Sequence, residues 1–288
     1  MRNRWKQLGL GLLTLLIVSL AVAGTQFLIH KHASADFGPL AVTAVVLLVY
    51  LGSVRWIERR PVSEFAPAGA WREMLAGLFT GFALFTCVMG ILWAFGVYHP
   101  AGLGSGKALG TGLALAVMSG VFEEILFRGI LFRASAGIVG TWGALLFTAS
   151  IFGAAHLANH GATLFSGVAI MLEAGVLLGA AYALTRRLWL PIGLHIAWNF
   201  TEGQIFGMSV SGSSPAGTAA DSAVLRGSLS GPQLLTGGAF GPEASVVAVL
   251  VCLLVAIYFL YRTVKLGRIE PPAWIRSRSA GSTVAQIA

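Results

Sequence analysis

Residues 109–132 read LGTGLALAVMSGVFEEILFRGILF, an apolar run interrupted by Glu123, Glu124 and Arg128. About 20 apolar residues suffice for a helix to cross a bilayer, and this stretch is long enough. An ionisable side chain at the centre of a span costs about 2.5–3.5 kcal/mol, so such groups persist where they face a protein interior or a wet cavity. The stretch therefore predicts a helix packed inside a membrane bundle. Composition agrees: the 288 residues are 56% hydrophobic and only 10% charged, with mean hydropathy +0.81. Soluble domains carry about 25% charged residues, and disordered chains are poor in apolar ones. The apolar runs have helix length and lack the alternation of barrel strands. The fold class is an all-α polytopic membrane protein.

Eight stretches qualify as spans: 8–29, 39–54, 73–97, 109–132, 142–158, 163–184, 189–206 and 245–262. With both termini in the cytoplasm, every lysine and arginine but Lys31, Lys107 and Arg226 falls on the inner side, as the positive-inside rule requires. The formal charge of +8 is thus a topology signal, with anionic lipid as its partner, and nucleic acid is not expected. Residues 1–288 read as a single membrane domain with a motif-bearing core at 110–212. A flexible extracytoplasmic loop, or a partly re-entrant one, is expected over 207–243, and a basic cytoplasmic tail over 263–288. Cys87 and Cys252 lie in apolar runs and read as small packed hydrophobes. Arg2, Arg4 and Lys6 followed by an apolar core and Ala21-Val22-Ala23 also have the look of a cleavable signal peptide, although the apolar run continues through Ile29.

Helical spacing sorts the polar residues into faces. Residues four apart share a face, whereas neighbours point about 100° apart. Glu124 and Arg128 are placed to pair, and Glu123 points elsewhere, free for chemistry. His156 follows Phe152 by four, and His160 follows His156 by four without the glutamate of an HExxH zinc motif. His195 and Asn199 share one face of the seventh span. Glu173, within the sixth, reads as a buried carboxyl bonded to a neighbouring helix. A carboxylate, two imidazoles and an amide from three spans suit hydrolysis by activated water: a base, an assisting imidazole and donors for an oxyanion.

Glu-Glu-x-x-x-Arg at 123–128, Phe-x-x-x-His at 152–156 and His-x-x-x-Asn at 195–199 resemble the three signature motifs of the CPBP family, the type II CAAX prenyl proteases and their bacteriocin-processing relatives. The likeness extends through His156-Leu157-Ala158-Asn159, Gly175–Gly179 and Leu188–His195 to Gly212. It implies an intramembrane endopeptidase with an eight-helix core and a cavity reachable from the cytoplasm. By the matching positions, Glu123 and His156 would activate water, and His195 and Asn199 would polarise the scissile carbonyl. Glu124 and Arg128 would support them. The substrate would be a protein or peptide at the lipid boundary, in the plasma (inner) membrane.

Glu123, His156 and His195 are also the set that could ligate a divalent metal such as zinc. Asn199 beside His195 suits hydrogen bonding better, so no obligatory cofactor is expected. A non-catalytic scaffold or immunity-type protein, and a proton-coupled transporter, are the competing functions. Depth raises one difficulty. At 1.5 Å per residue, Glu123 lies ~14 Å, His195 ~10 Å and Asn199 ~16 Å from the inner ends of their spans, but His156 lies ~22 Å deep. The fifth helix must start later, near Ala144, or tilt.

Overall fold

Three glycines set the closest helix pairing in the bundle. In the computed structural model, which describes residues 2–32, 38–213 and 220–275, α3 (Ala70–Ala94) lies directly against α8 (Trp189–Phe200). A Cβ on Gly77 would sit 2.3 Å from the Leu190 carbonyl oxygen, and one on Gly81 would sit 2.2 Å from that of Leu194. From the other side, a Cβ on Gly193 would meet the Met74 carbonyl oxygen at 2.5 Å. Small residues four apart let helix backbones touch where lipid offers no hydrophobic drive for association. The first hundred residues, plain in sequence beyond their hydropathy, thus contain the helix that fixes the position of His195.

The other helices pack around this pair. α1 (Arg2–His32) and α2 (Gly38–Gly52) lie together, with Val18, Val46 and Tyr50 fully buried between them and α4 (Leu109–Glu124). Strand β1 (Tyr98–Leu103) follows α3. After α4 the helix continues through a π-helical stretch, Ile125–Phe132, into α5 (Arg133–Ala155). Within α5 the chain reverses at Gly140, with φ 76° and ψ 176°. That conformation belongs to glycine, and a Cβ there would also meet the Glu270 carbonyl oxygen at 2.7 Å. Phe127 and Phe152, on opposite arms, meet with ring centroids 4.8 Å apart. A short turn leads to α6 (Leu164–Ile170), whose N-terminus is closed by reciprocal Thr163–Ser166 capping. A second π-helical stretch, Met171–Gly175, continues into α7 (Val176–Thr185), and a third, Thr201–Ile205, follows α8.

Helix thus occupies each of the eight expected spans, but the division differs. Among the described residues, six helices are long and apolar enough to cross a membrane. The expected spans 109–132 and 142–158 are the arms of one element, Leu109–Ala158. Trp189–Phe200 with its continuation to Ile205 is short and deeply buried. Outward-facing Leu48, Phe79 and Leu254 are exposed, the apolar girdle a lipid environment requires. The polar residues sit inside.

The reversal at Gly140 removes the depth difficulty. The fifth helix neither starts near Ala144 nor needs to tilt, because the fourth runs on past residue 132. Counted from Gly140, Glu123 and His156 lie about 25 Å and about 24 Å along their arms. α8 begins recessed, with Leu188 packed on Gly129 and the Trp189 Nε1–H donating to the Ala66 carbonyl at 3.0 Å. His195 therefore rises to the level of Glu124.

The two ends of the bundle differ. One gathers arginines in ion pairs: Arg133 with Glu58 at 2.6 Å, Arg60 with Glu64 at 2.7 Å, Arg187 with Glu73 at 3.0 Å and Arg186 with Glu270 at 2.9 Å. At the other, β1 pairs antiparallel with β2 (Leu225–Leu229), Tyr98 opposite Leu229. The described part of the 207–243 loop has secondary structure of its own. It contains β2 and α9 (Gln233–Thr236), and it buries Phe240 completely before α10 (Val246–Lys265) begins. Residues 214–219 of that loop, and Arg276, Arg278 and the remainder of the basic tail past residue 275, lie outside the described residues. Cys87 and Cys252 are free thiols; Cys252 is packed as expected, whereas Cys87 is exposed on the outer face of α3.

Candidate active site

Glu124 is the hub. Its Oε1 accepts from Arg128 Nη1 at 2.6 Å and from His195 Nδ1 at 3.0 Å. The pairing with Arg128 is the one helical spacing anticipates; the bond to His195 across helices is not. Arg128 is 1% exposed and extends Nη2 to the carbonyls of Ala174 and Gly175 at 3.2 and 3.1 Å. It thereby ties the Glu-Glu helix to the helix after α6. Gly120 allows the close approach of α4 to α8, since a Cβ there would meet Ile196 Cγ1 at 2.7 Å. With Nδ1 committed to a carboxylate, the His195 ring directs Nε2 toward Glu123, 3.9 Å from Glu123 Oε2. A carboxylate on one imidazole nitrogen sets what the other presents.

Asn199, one turn beyond His195, donates from Nδ2 to Ser119 Oγ at 3.0 Å. The second N–H of the amide is left for another partner. Ser119 lies four residues before Glu123, on the same helix face. That spacing was a readable signal for a positioning residue, and sequence reasoning passed over it. His156 Nδ1 donates to the Phe152 carbonyl at 2.8 Å. A carbonyl can only accept, so the neutral ring has its basic lone pair on Nε2.

Glu123, His156, His195 and Asn199 all line one cavity of about 550 Å³, together with Ser119, His160 and Gln204. The three separate stretches of chain converge on a single volume, although His156 makes no hydrogen bond to Glu123 or His195. Behind the histidines, a chamber of about 20 Å³ reaches Glu173 and Glu243, room for one water. Here lies a second carboxyl group, read only in part from sequence. Glu173 bonds to Cys252 on α10 and faces Glu243, and Glu202 lies against Glu243. Trp198 Nε1–H approaches Glu243 Oε2 at 3.5 Å. All three carboxyls are 2% exposed or less. Glu173 thus meets the neighbouring helix as expected. Glu202 and Glu243 gave no signal, being lone acids at the edge of, or outside, the recognisable spans.

The metal reading fits poorly. Among the described residues, no three His, Cys, Asp or Glu side chains gather as ligands for a metal ion. Glu123 and His195 approach one another, while His156 stands apart. A zinc site needs its protein ligands at closely fixed distances around one point, and the set Glu123, His156 and His195 does not provide that arrangement. No step is derived through a metal.

The cavity lined by a carboxylate, two imidazoles and an amide lies within a polytopic helical membrane protein. Residues 105–201 match the family model described as type II CAAX prenyl endopeptidase, Rce1-like, which supports membership of the CPBP family and a CAAX-type endopeptidase. The match includes all three motifs and ends before Glu202, short of the 212 to which the likeness was traced. No curated protein and no solved structure matches the chain.

Proposed function

We propose that the chain is an intramembrane endopeptidase, resident in the plasma membrane, that hydrolyses a peptide bond with glutamate-activated water. Glu123 takes a proton from water as its oxygen attacks the carbonyl carbon. The resulting oxyanion accepts from Asn199 Nδ2–H and from the Nε2–H of His195 in its doubly protonated form, whose Nδ1–H Glu124 holds. When the C–N bond breaks, the proton held by Glu123 passes to the leaving amine. His156 Nε2 accepts from the attacking water and orients it. The substrate is a protein or peptide reaching the cavity from the lipid boundary.

One observation carries the reading: four side chains of the right chemistry, borne by three distant stretches, line a single cavity. A general base contributes about 10²–10⁴ in rate, so Glu123→Gln should abolish measurable turnover while the protein still inserts and folds. Comparative membrane proteomics of the two forms should reveal an uncut protein accumulating in the variant. Unchanged processing would refute the mechanism. Chelation of the purified protein should leave activity within about twofold, where loss of a catalytic metal would remove several kcal/mol of barrier lowering.

A further inference from the structure

The catalytic cavity is closed at one end and open at the other. Toward the arginine-rich end, Glu124, Arg128, Phe127 and Phe152 are each 5% exposed or less, and none of them lines the cavity. None of its lining residues comes from the segments at that end. Of its exposed lining residues, Asn159, His160 and Ser213 lie at the opposite end, and Leu115 lies on the outward flank of α4, where lipid is the neighbour. There Asn159 Nδ2 donates to the Ser211 carbonyl at 2.8 Å, the Gly212 N–H donates to the Phe240 carbonyl at 2.8 Å, and the Val224 N–H donates to the Gln204 carbonyl at 2.9 Å. The rim is thus built from the same loop that supplies β2.

The charges at the two ends are unequal. The arginine-rich end carries Arg60, Arg133, Arg186 and Arg187 in its ion pairs, whereas of all the lysines and arginines only Lys31, Lys107 and Arg226 fall on the rim side. Basic residues flanking spans remain in the cytoplasm. We infer that the cavity opens on the extracytoplasmic face, and that the enzyme cleaves extended polypeptide segments presented on that side of the membrane. This reverses the cytoplasmic access that family resemblance implies, and it excludes cytoplasmic chain termini as substrates. Leu115, Met118, Met208 and Val210 make much of the cavity wall apolar, so the segment carries apolar side chains beside the bond to be cut. The substrate rests on the protease reading; the sidedness does not.

The test is thiol accessibility in intact cells, in a Cys87→Ala, Cys252→Ala background. Three single cysteines are compared: Ser213→Cys at the rim, Met118→Cys on the cavity wall and Ser63→Cys at the arginine-rich end. A small membrane-impermeant thiol reagent should label Ser213→Cys and Met118→Cys from outside, and Ser63→Cys only after permeabilisation. Labelling of Ser213→Cys and Met118→Cys only after permeabilisation would overturn the inference, whatever the proteomics show. Labelling from outside together with unchanged processing in Glu123→Gln would instead sink the protease reading and leave the sidedness standing.

Discussion

Two groups of glutamates, all buried but the half-buried Glu123, lie on either side of His195, and they are built on opposite principles. Glu123 and Glu124 adjoin Arg128, with a 2.6 Å ion pair inside the bundle. Glu173, Glu202 and Glu243 have one another, a thiol and an indole N–H, and none is in an ion pair among the described residues. A buried charge is tolerated when paired and hydrogen-bonded, while an unpaired acid is accommodated in its neutral form. The difference teaches that an acidic side chain in a span has no fixed meaning. What separates the two groups is whether a cation lies beside the acid or only other acids, a thiol and an indole.

Substitutions can break this contrast. The largest effect is expected at Glu123→Gln, a loss of about 10²–10⁴ in rate with thermal stability nearly unchanged, read by activity and melting of the purified protein. Arg128→Ala follows. It strands Glu124 and frees the carbonyls of Ala174 and Gly175, so denaturant unfolding in detergent should show about 3–5 kcal/mol of destabilisation. Glu173→Gln sharpens the contrast from the other side. An amide of the same shape replaces an acid that has no ion-pair partner among the described residues, and the same measurement should register less than about 1 kcal/mol. A comparable cost at both positions would erase the distinction.

A third glutamate, outside the spans, extends the comparison to pH. Burial acts to raise the Glu64 carboxyl, but the hydrogen bond and charge of Arg60 outweigh it, and Tyr50 donates as well, so it titrates below the ordinary carboxylate range. A group depressed in the folded state contributes stability above its unfolded value, lost as pH falls through the folded one. Acidification below about pH 4.5 should therefore destabilise the wild type. Glu64→Gln should be less stable near neutrality and flatter across that acid range, as melting against pH would show.

Much of this architecture is legible in the amino-acid order. Hydropathy locates helix in each of the eight expected spans, and the four-residue spacing pairs Glu124 with Arg128 and sets His195 and Asn199 on one face. Ser119, four before Glu123, was equally readable. The limits lie where helices meet. The 24 residues of the fourth span carry no mark that the helix continues past them to a reversal at Gly140, and that extension brings Glu123 and His156 to one depth. Three π-helical stretches, at Ile125–Phe132, Met171–Gly175 and Thr201–Ile205, also shift the faces that a regular 3.6-residue period assigns.

Sequence alone determined that the chain lies in a membrane, which side chains share a helix face, and which chemistry those side chains could perform. Each of these is a property of local order: apolar length against bilayer thickness, and angle per residue around one axis. Tertiary structure alone decided that Glu124 bonds His195 as well as Arg128, that Glu202 and Glu243 join Glu173, and that Glu123, His156, His195 and Asn199 line one cavity. Those depend on which helix face meets which. Contacts between glycines and backbone, such as Gly77 and Gly81 against α8, settle that question across more than a hundred residues of intervening chain.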